Sequence, residues 1–328
     1  MFKTIGKVEP NILCITDYLI GDMSDINYEF LLLNKPLILM SNKWLDQNFP
    51  SLGCRISDIG QLAKVLEAIN DHDEYVKQRK KYLDEAFAVT DASNANVALK
   101  TILAASKIDK PILALHHHNN IIYKSNLVPL IAAAEKLGLE VVENMALRDP
   151  SVINVGAHFG CLLDPQISKN YCVHLDHGLK GVGTANVEIS KRDYLKNNFF
   201  PSVDLHLTAG QMGQTRTEML LGPMKDRAMI GAYPKATEII NGANPRNREI
   251  MFTAFGLDPS LPVITYAPAG EESLEKPGGS LTKSVLKDLK NFEKMHNFNL
   301  VIKLKYPFYF QRKTLSSIKQ WFKNVVFG

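Results

Sequence analysis

Apolar runs of four to seven residues, separated by helix-length stretches, recur along this chain, and that alternation restricts it to parallel α/β architecture. The runs are NILCIT (11–16), PLILM (36–40), PILAL (111–115), LEVVE (139–143), VINVGA (152–157), YCVHL (171–175), VDLHLTA (203–209), AMIGA (228–232), PVITYAP (262–268), NLVIKL (299–304) and NVVF (324–327). Short runs bounded by turn residues are how strands read when both faces of a sheet are covered. Helical patterns fall at 26–33, 57–70, 73–87, 97–106, 126–137, 281–296 and 313–321. The strand, helix, strand order of 111–143 is a βαβ unit with an expected right-handed crossover. The expected fold class is therefore α/β: two Rossmann-like domains, each a parallel sheet flanked by helices.

A chain of 328 residues exceeds one ordinary core and suits two domains of roughly 150 residues. The block opening near 259 holds two or three strands, too few for a sheet of its own. The first hundred residues supply the remainder. The expected organisation is a discontinuous domain, 1–106 plus 259–328, and a continuous one, 107–258. No internal repeat is visible, which argues against tandem duplication.

Apolar residues at 45% and charged residues at 22% exclude long disorder, collagen and coiled coil. A net charge of +4 suits anionic substrates or an anionic surface and falls short of a dedicated nucleic-acid binder. Cys14, Cys54, Cys161 and Cys172 lack zinc-type spacing and read as reduced core thiols of a cytoplasmic protein. No run approaches the roughly 20 apolar residues that span a bilayer, and 1–10 lacks the apolar core of a signal peptide. Residues 311–326 combine Arg312, Lys313, Lys319 and Lys323 with Leu315, Ile318, Trp321 and Phe322 at helical spacing. That stripe fits either a helix packed on a sheet or peripheral contact with the inner face of a membrane. A homo-oligomer, including one that exchanges halves between chains, is equally open.

Four segments carry candidate chemistry. In 17–36 an apolar run, a small polar turn and a helix would aim backbone N–H groups at an anion. Ser24 can donate to a phosphate there and Glu29 can accept from a ribose or the transferred group, while Asp22 and Asp25 could instead cap the helix. In 174–183 (HLDHGLKGVG), His177 has the pKa range to take a proton from a hydroxyl, Gly178 permits close approach, and Lys180 offers a point charge to phosphate. A structural histidine fits the same pattern. His116, His117 and His118, followed by Asn119, sit at the end of PILAL; consecutive side chains diverge from an extended backbone and do not readily share a metal ion. A polar, acceptor-facing loop is expected and no metal. In 302–307 (IKLKYP), Lys303 and Lys305 share a strand face, suited to neutralising a diphosphate leaving group or simply solvated.

At these residues the chain resembles the CDP-glycerol glycerophosphotransferase family, which makes or extends polyol-phosphate polymers such as teichoic acids on the GT-B fold. In DYLIGDMSDINYEFLLLNKPLIL (17–39), Asp22, Met23, Ser24, Asp25, Glu29 and Pro36 stand where the family has an aspartate, an aromatic, paired serines, an acidic residue and a strand-opening proline. HLDHGLKG is similar to its histidine-glycine-x-lysine element, through His177, Gly178 and Lys180. GAYPKATEI (231–239) resembles its interdomain turn, and VITYAP (263–268) the strand opening its nucleotide domain. The pieces occur in reversed order, as a circular permutation would leave them. The resemblance implies a CDP-linked donor as substrate with no cofactor. Asp22, Ser24, Asp25, Glu29, Lys303 and Lys305 would hold the donor, with His177 and Lys180 catalytic. His116, His117, His118, Asn119 and Gly178 would face a polymer or lipid-linked acceptor, and no nucleic acid is implied. Two departures stand out: Asp25 replaces the second serine, and Lys305 or Tyr306 replaces a second histidine. The alternatives are a sugar-nucleotide glycosyltransferase or epimerase on the same fold, or a catalytically silent binding relative.

Overall fold

The computed structural model describes residues 12–22, 24–41, 46, 51–158, 161–175, 202–268 and 282–303. The chain divides into two compact units, Met1–Lys81 with Gly242–Gly328, and Tyr82–Asn241.

The first unit is a five-stranded parallel sheet. Its strands are β1 (Tyr18–Gly21), β2 (Leu37–Met40), β3 (Cys54–Ile56), β10 (Val263–Ala267) and β11 (Asn299–Ile302), ordered β11-β10-β1-β2-β3. On one face Ile20, Ile38, Ile56, Ile264 and Tyr266 pack against α2 (Leu62–Asp71) and α9 (Lys283–Met295). On the other, Val263 meets Ile12, Ile15 and the Met251 and Phe252 of α8 (Pro245–Phe255). Cover on both faces is why these strands read as unbroken apolar runs.

The chain pieces joined in this sheet are far apart in sequence, and Asp17 ties them. Its carboxylate accepts from the Val263 N–H at 2.9 Å and from Arg248 Nη2 at 2.7 Å, and pairs with Lys35 at 3.3 Å. Burial alone would raise the Asp17 carboxyl, but the Arg248 and Val263 hydrogen bonds and the two cationic charges outweigh it, so it lies below the usual value. Next to it, Thr16 and Thr265 hydroxyls bond across the seam at 2.7 Å.

The strand expected at 11–16 is a 3-10 turn, Ile12–Cys14, and the strand begins at Tyr18. Apolarity reported burial correctly, since Ile12 and Ile15 fill the core, but a four-residue apolar run does not separate strand from turn. Thr16 Oγ1 donates back to Ile12 C=O at 2.8 Å and closes the turn. The helix expected at 57–70 starts later, at Leu62, behind the 3-10 turn Ile59–Gln61. Strand β3 was not anticipated.

The second unit is a six-stranded parallel sheet: β4 (Ile112–His116), β5 (Val141–Glu143), β6 (Val152–Gly156), β7 (Tyr171–Leu175), β8 (Leu205–Thr208) and β9 (Ala228–Ile230), ordered β5-β4-β6-β7-β8-β9. Leu113, Leu115, Ile153, Val155, Val173, Leu205 and Leu207 pack on α4 (Asn94–Ser106) and α5 (Ile121–Lys136). Five of the six strands fall within the runs read from the sequence, and β4 runs one residue past PILAL, to His116. The unit junctions lie at 81/82 and 241/242, whereas the sequence placed them at 106/107 and 258/259. Helix α4 shares a core with α5, and α8 shares one with Val263, so each junction helix joins the unit whose core it closes. Among the described residues no helix is long and apolar enough to cross a membrane.

Both sheets reverse their direction of growth at one place. In the first, β1 leads outward to β2 and β3 while β10 leads the opposite way to β11; in the second, β4 leads to β5 while β6 leads to β7, β8 and β9. The β1/β10 and β4/β6 pairs are therefore topological switch points, and in open α/β sheets ligands bind at the carboxyl ends of such pairs.

His206, on β8, is buried, and burial together with the Arg227 charge pushes its imidazole from 6.5 down to about 4. The unfolded chain binds the proton first, so this contribution is complete above 6.5 and is lost as pH falls toward 4, at up to about 1.4 kcal/mol per unit. Urea midpoints should fall across that window, and His206→Gln should flatten the slope. An unaltered slope would assign it to another buried group, such as His116, which burial also lowers.

Candidate functional site

At the β1/β10 switch point the chain leaves β1 through Gly21 and turns into α1 (Ile26–Leu31). The fully buried Asn27 lies directly over Gly21: a Cβ there would sit 1.9 Å from Asn27 Oδ1. Asn27 Nδ2 donates to the Asp22 carbonyl, so the amide fixes the turn. Ser24 and Asp25 carbonyls accept from the N–H groups of Asn27 and Tyr28, at 3.2 and 3.0 Å. Asp25 occupies the N-cap, but its side chain makes no capping bond, so the capping alternative does not explain its carboxylate. Asp22 is fully buried and Glu29 is 7% exposed. Register pairs Gly21 with Ala267, and Lys303 N–H donates to Tyr266 C=O at 2.9 Å immediately beyond β11. The structure thus brings Asp22, residues 24–29 and Lys303 to the same carboxyl edge of one sheet.

At the β4/β6 switch point the three histidines separate. His116 is buried, with Nε2 2.9 Å from Asn154 Oδ1; Asn154 Nδ2 donates to the Ile167 carbonyl at 3.1 Å, so the His116 proton lies on Nε2. Burial pushes this imidazole down, the Asn154 bond opposing. His117 is also buried. Its Nδ1 accepts from Asn119 N–H at 3.1 Å and its Nε2 meets Glu143 Oε2 at 2.7 Å. Glu143 also pairs with Lys124 at 3.1 Å, and the His117 and Lys124 hydrogen bonds hold its carboxyl below the ordinary range. His118 and Asn119 are exposed, with left-handed φ of 48° and 56°. Nearby, Tyr123 of α5 stacks on His158, which follows β6, with ring centroids 4.7 Å apart. Among the described residues no three His, Cys, Asp or Glu side chains converge as a metal would need. Burial raises Cys161 to about 11 and Cys172, with the Asp204 charge adding, to about 12, leaving both as inert thiols.

Glu143, Asn144, Tyr123, Asn154 and His158 were not read from the sequence. Each matters through a partner on another strand or helix, and only the strand order supplies that adjacency. His177, Gly178, Lys180 and Lys305 lie outside the described residues, as do Met23, Tyr306 and 311–326.

These features define a parallel α/β protein with two Rossmann-like sheets, each with one topological switch point. Residues 7–104 match the family model described as CDP-Glycerol:Poly(glycerophosphate) glycerophosphotransferase. The match holds the β1–α1 turn and β2, and covers under a third of the 328 residues. It does not reach HLDHGLKG, GAYPKATEI or VITYAP. No curated protein and no solved structure matches the chain.

Gly21→Ala should cost about 1–3 kcal/mol through the Asn27 overlap. In urea denaturation its combination with Asn27→Ala should lose less than the sum of the single variants. Strict additivity would show that the amide does not constrain the turn.

Proposed function

We propose that the chain is a transferase moving a glycerol-phosphate, or related polyol-phosphate, group from a CDP-linked donor to a hydroxyl acceptor in the synthesis of a cell-surface polymer. The observation that carries this reading is the coincidence of the family match with the β1–α1 turn at the carboxyl edge of β1. In this reading the first unit holds the donor, with Ser24 and turn amides on the diphosphate and Lys303 and Lys305 offsetting charge on the departing group. The second unit holds the acceptor through the loop 116–119.

The acceptor oxygen attacks the glycerol-bearing phosphorus, a new P–O bond forms, the P–O bond to the bridging oxygen breaks, and CMP leaves with that oxygen. His177 takes the acceptor's proton, and Lys180 steadies a phosphate oxygen. The donor is consumed as a substrate, and the step needs no resident cofactor. A polymer or lipid-linked acceptor would favour work at the inner face of a membrane.

CDP-glycerol should raise the melting temperature by mass action, by the equivalent of about 2.7 kcal/mol at a hundredfold excess over Kd, and Ser24→Ala should remove most of the shift. His177→Ala should lower CMP release by about 10²–10⁴ with the shift retained. A shift selective for UDP-linked sugars would favour the sugar-nucleotide reading, and none with any nucleotide would favour a binding protein.

Asp25 places a carboxylate where the family has serine. Asp25→Ser should therefore strengthen CDP-glycerol binding. Weaker binding in that variant would show that the carboxylate serves the ligand.

A further inference from the structure

The loop joining β4 to α5 holds a conformation that its own sequence does not favour. His118 and Asn119 are successive non-glycine residues in the left-handed region, and such strain persists where surrounding contacts over-determine the backbone. The contacts come from the end of β5. Asn144 Oδ1 accepts from the N–H groups of both His117 and His118 at 2.9 Å. Asn144 Nδ2 donates to Asn119 Oδ1 at 3.3 Å. Glu143 holds His117 Nε2, and the buried ring in turn takes the Asn119 N–H. Asn120 N–H donates to the His117 carbonyl at 2.8 Å.

Every amide of 117–120 is thereby engaged within the protein, so the loop is not an anion-cradling nest. What it offers a ligand is side chains: the exposed His118 imidazole and the Asn119 carboxamide, whose oxygen is turned toward Asn144 and whose amino group remains to donate.

We propose that Asn144 and Glu143 are positioning residues that lock the β4–α5 loop so that His118 and Asn119 grip the oxygens of a phosphorylated polyol terminus. The assignment of that terminus as the acceptor rests on the transferase reading; the lock does not. An imidazole and an amide donor suit hydroxyl and phosphate oxygens.

The test uses the full chain, free glycerol 3-phosphate as probe and NMR of the His118 imidazole. In the wild type the probe should shift the His118 resonances. Asn144 itself has a left-handed φ of 52°, so Asn144→Gly keeps that backbone accessible while removing all three side-chain bonds. It should weaken probe binding about tenfold or more, raise the acceptor KM more than it lowers kcat, and leave the thermal shift from CDP-glycerol unchanged. If Asn144→Gly does not fold, Glu143→Gln decides, with an expected severalfold loss of probe affinity. Wild-type affinity in whichever variant folds, or a probe response confined to resonances away from this loop, would overturn the proposal. A normal probe response without CMP release from CDP-glycerol would instead retire the transferase reading and leave the lock standing.

Discussion

The first unit depends on the seam between β1 and β10. Everything from Tyr82 to Asn241 intervenes between its two chain pieces, so its sheet exists only if that long closure is stabilised at the point of contact. Asp17 concentrates the stabilisation: one carboxylate takes the first amide of β10, the guanidinium of α8 and the ammonium of Lys35. These groups keep a quarter to a third of their side-chain surface in water, so removing one partner costs about 1–2 kcal/mol, short of the loss from a fully buried pair. The long insertion itself costs little, since closure entropy grows by only about 0.6 kcal/mol for each doubling of loop length. A discontinuous domain is therefore thermodynamically inexpensive wherever a few strong contacts define its seam.

The seam also locates chemistry. Because β1 and β10 start the two outward-growing halves of their sheet, the pairing that closes the unit also makes its carboxyl edge the switch point at which open α/β sheets bind ligands. Gly21, Ala267 and Lys303 end up side by side there, though nothing in their local sequences relates them. The second sheet repeats the logic with a continuous chain: β4 and β6 lead in opposite directions, and the loop 116–120 and His158 follow their carboxyl ends.

The strands were legible because burial on both faces writes unbroken apolar runs, and every strand of the second sheet coincides with one to within a residue or two. The reading failed where that signal is absent or shared. Cys54–Ile56 is a three-residue edge strand interrupted by Arg55, too short to show a period. NILCIT is equally apolar and buried, yet its threonine folds the segment back into a 3-10 turn. The histidine run was visible as a polar loop at a strand end, but the different fates of its members were not. His116 is fixed by Asn154, His117 by Glu143, and His118 is left to solvent because Asn144, from a neighbouring strand, holds the backbone open. Composition names the residues; register and strand order assign them.

The β1–α1 turn, where the transferase reading puts the donor, concentrates acidic groups. Asp22, Asp25 and Glu29 place three carboxyl groups within one turn and a short helix, and Lys303 is the described cation at the same edge among the residues singled out. In the transferase reading a diphosphate at this edge meets these carboxyl groups as well as the dipole of a six-residue helix, and the two act in opposite directions. Fully buried Asp22 is the least exposed to a ligand, since its backbone carbonyl is already engaged by Asn27 and the turn is closed over it. Asp25 differs: partly exposed, at the N-cap, with no capping bond from its side chain. In the transferase reading a carboxylate at this place favours the hydroxyl-bearing portions of a donor over its phosphates, so donor selectivity there turns on Asp25 as well as on the turn amides around it.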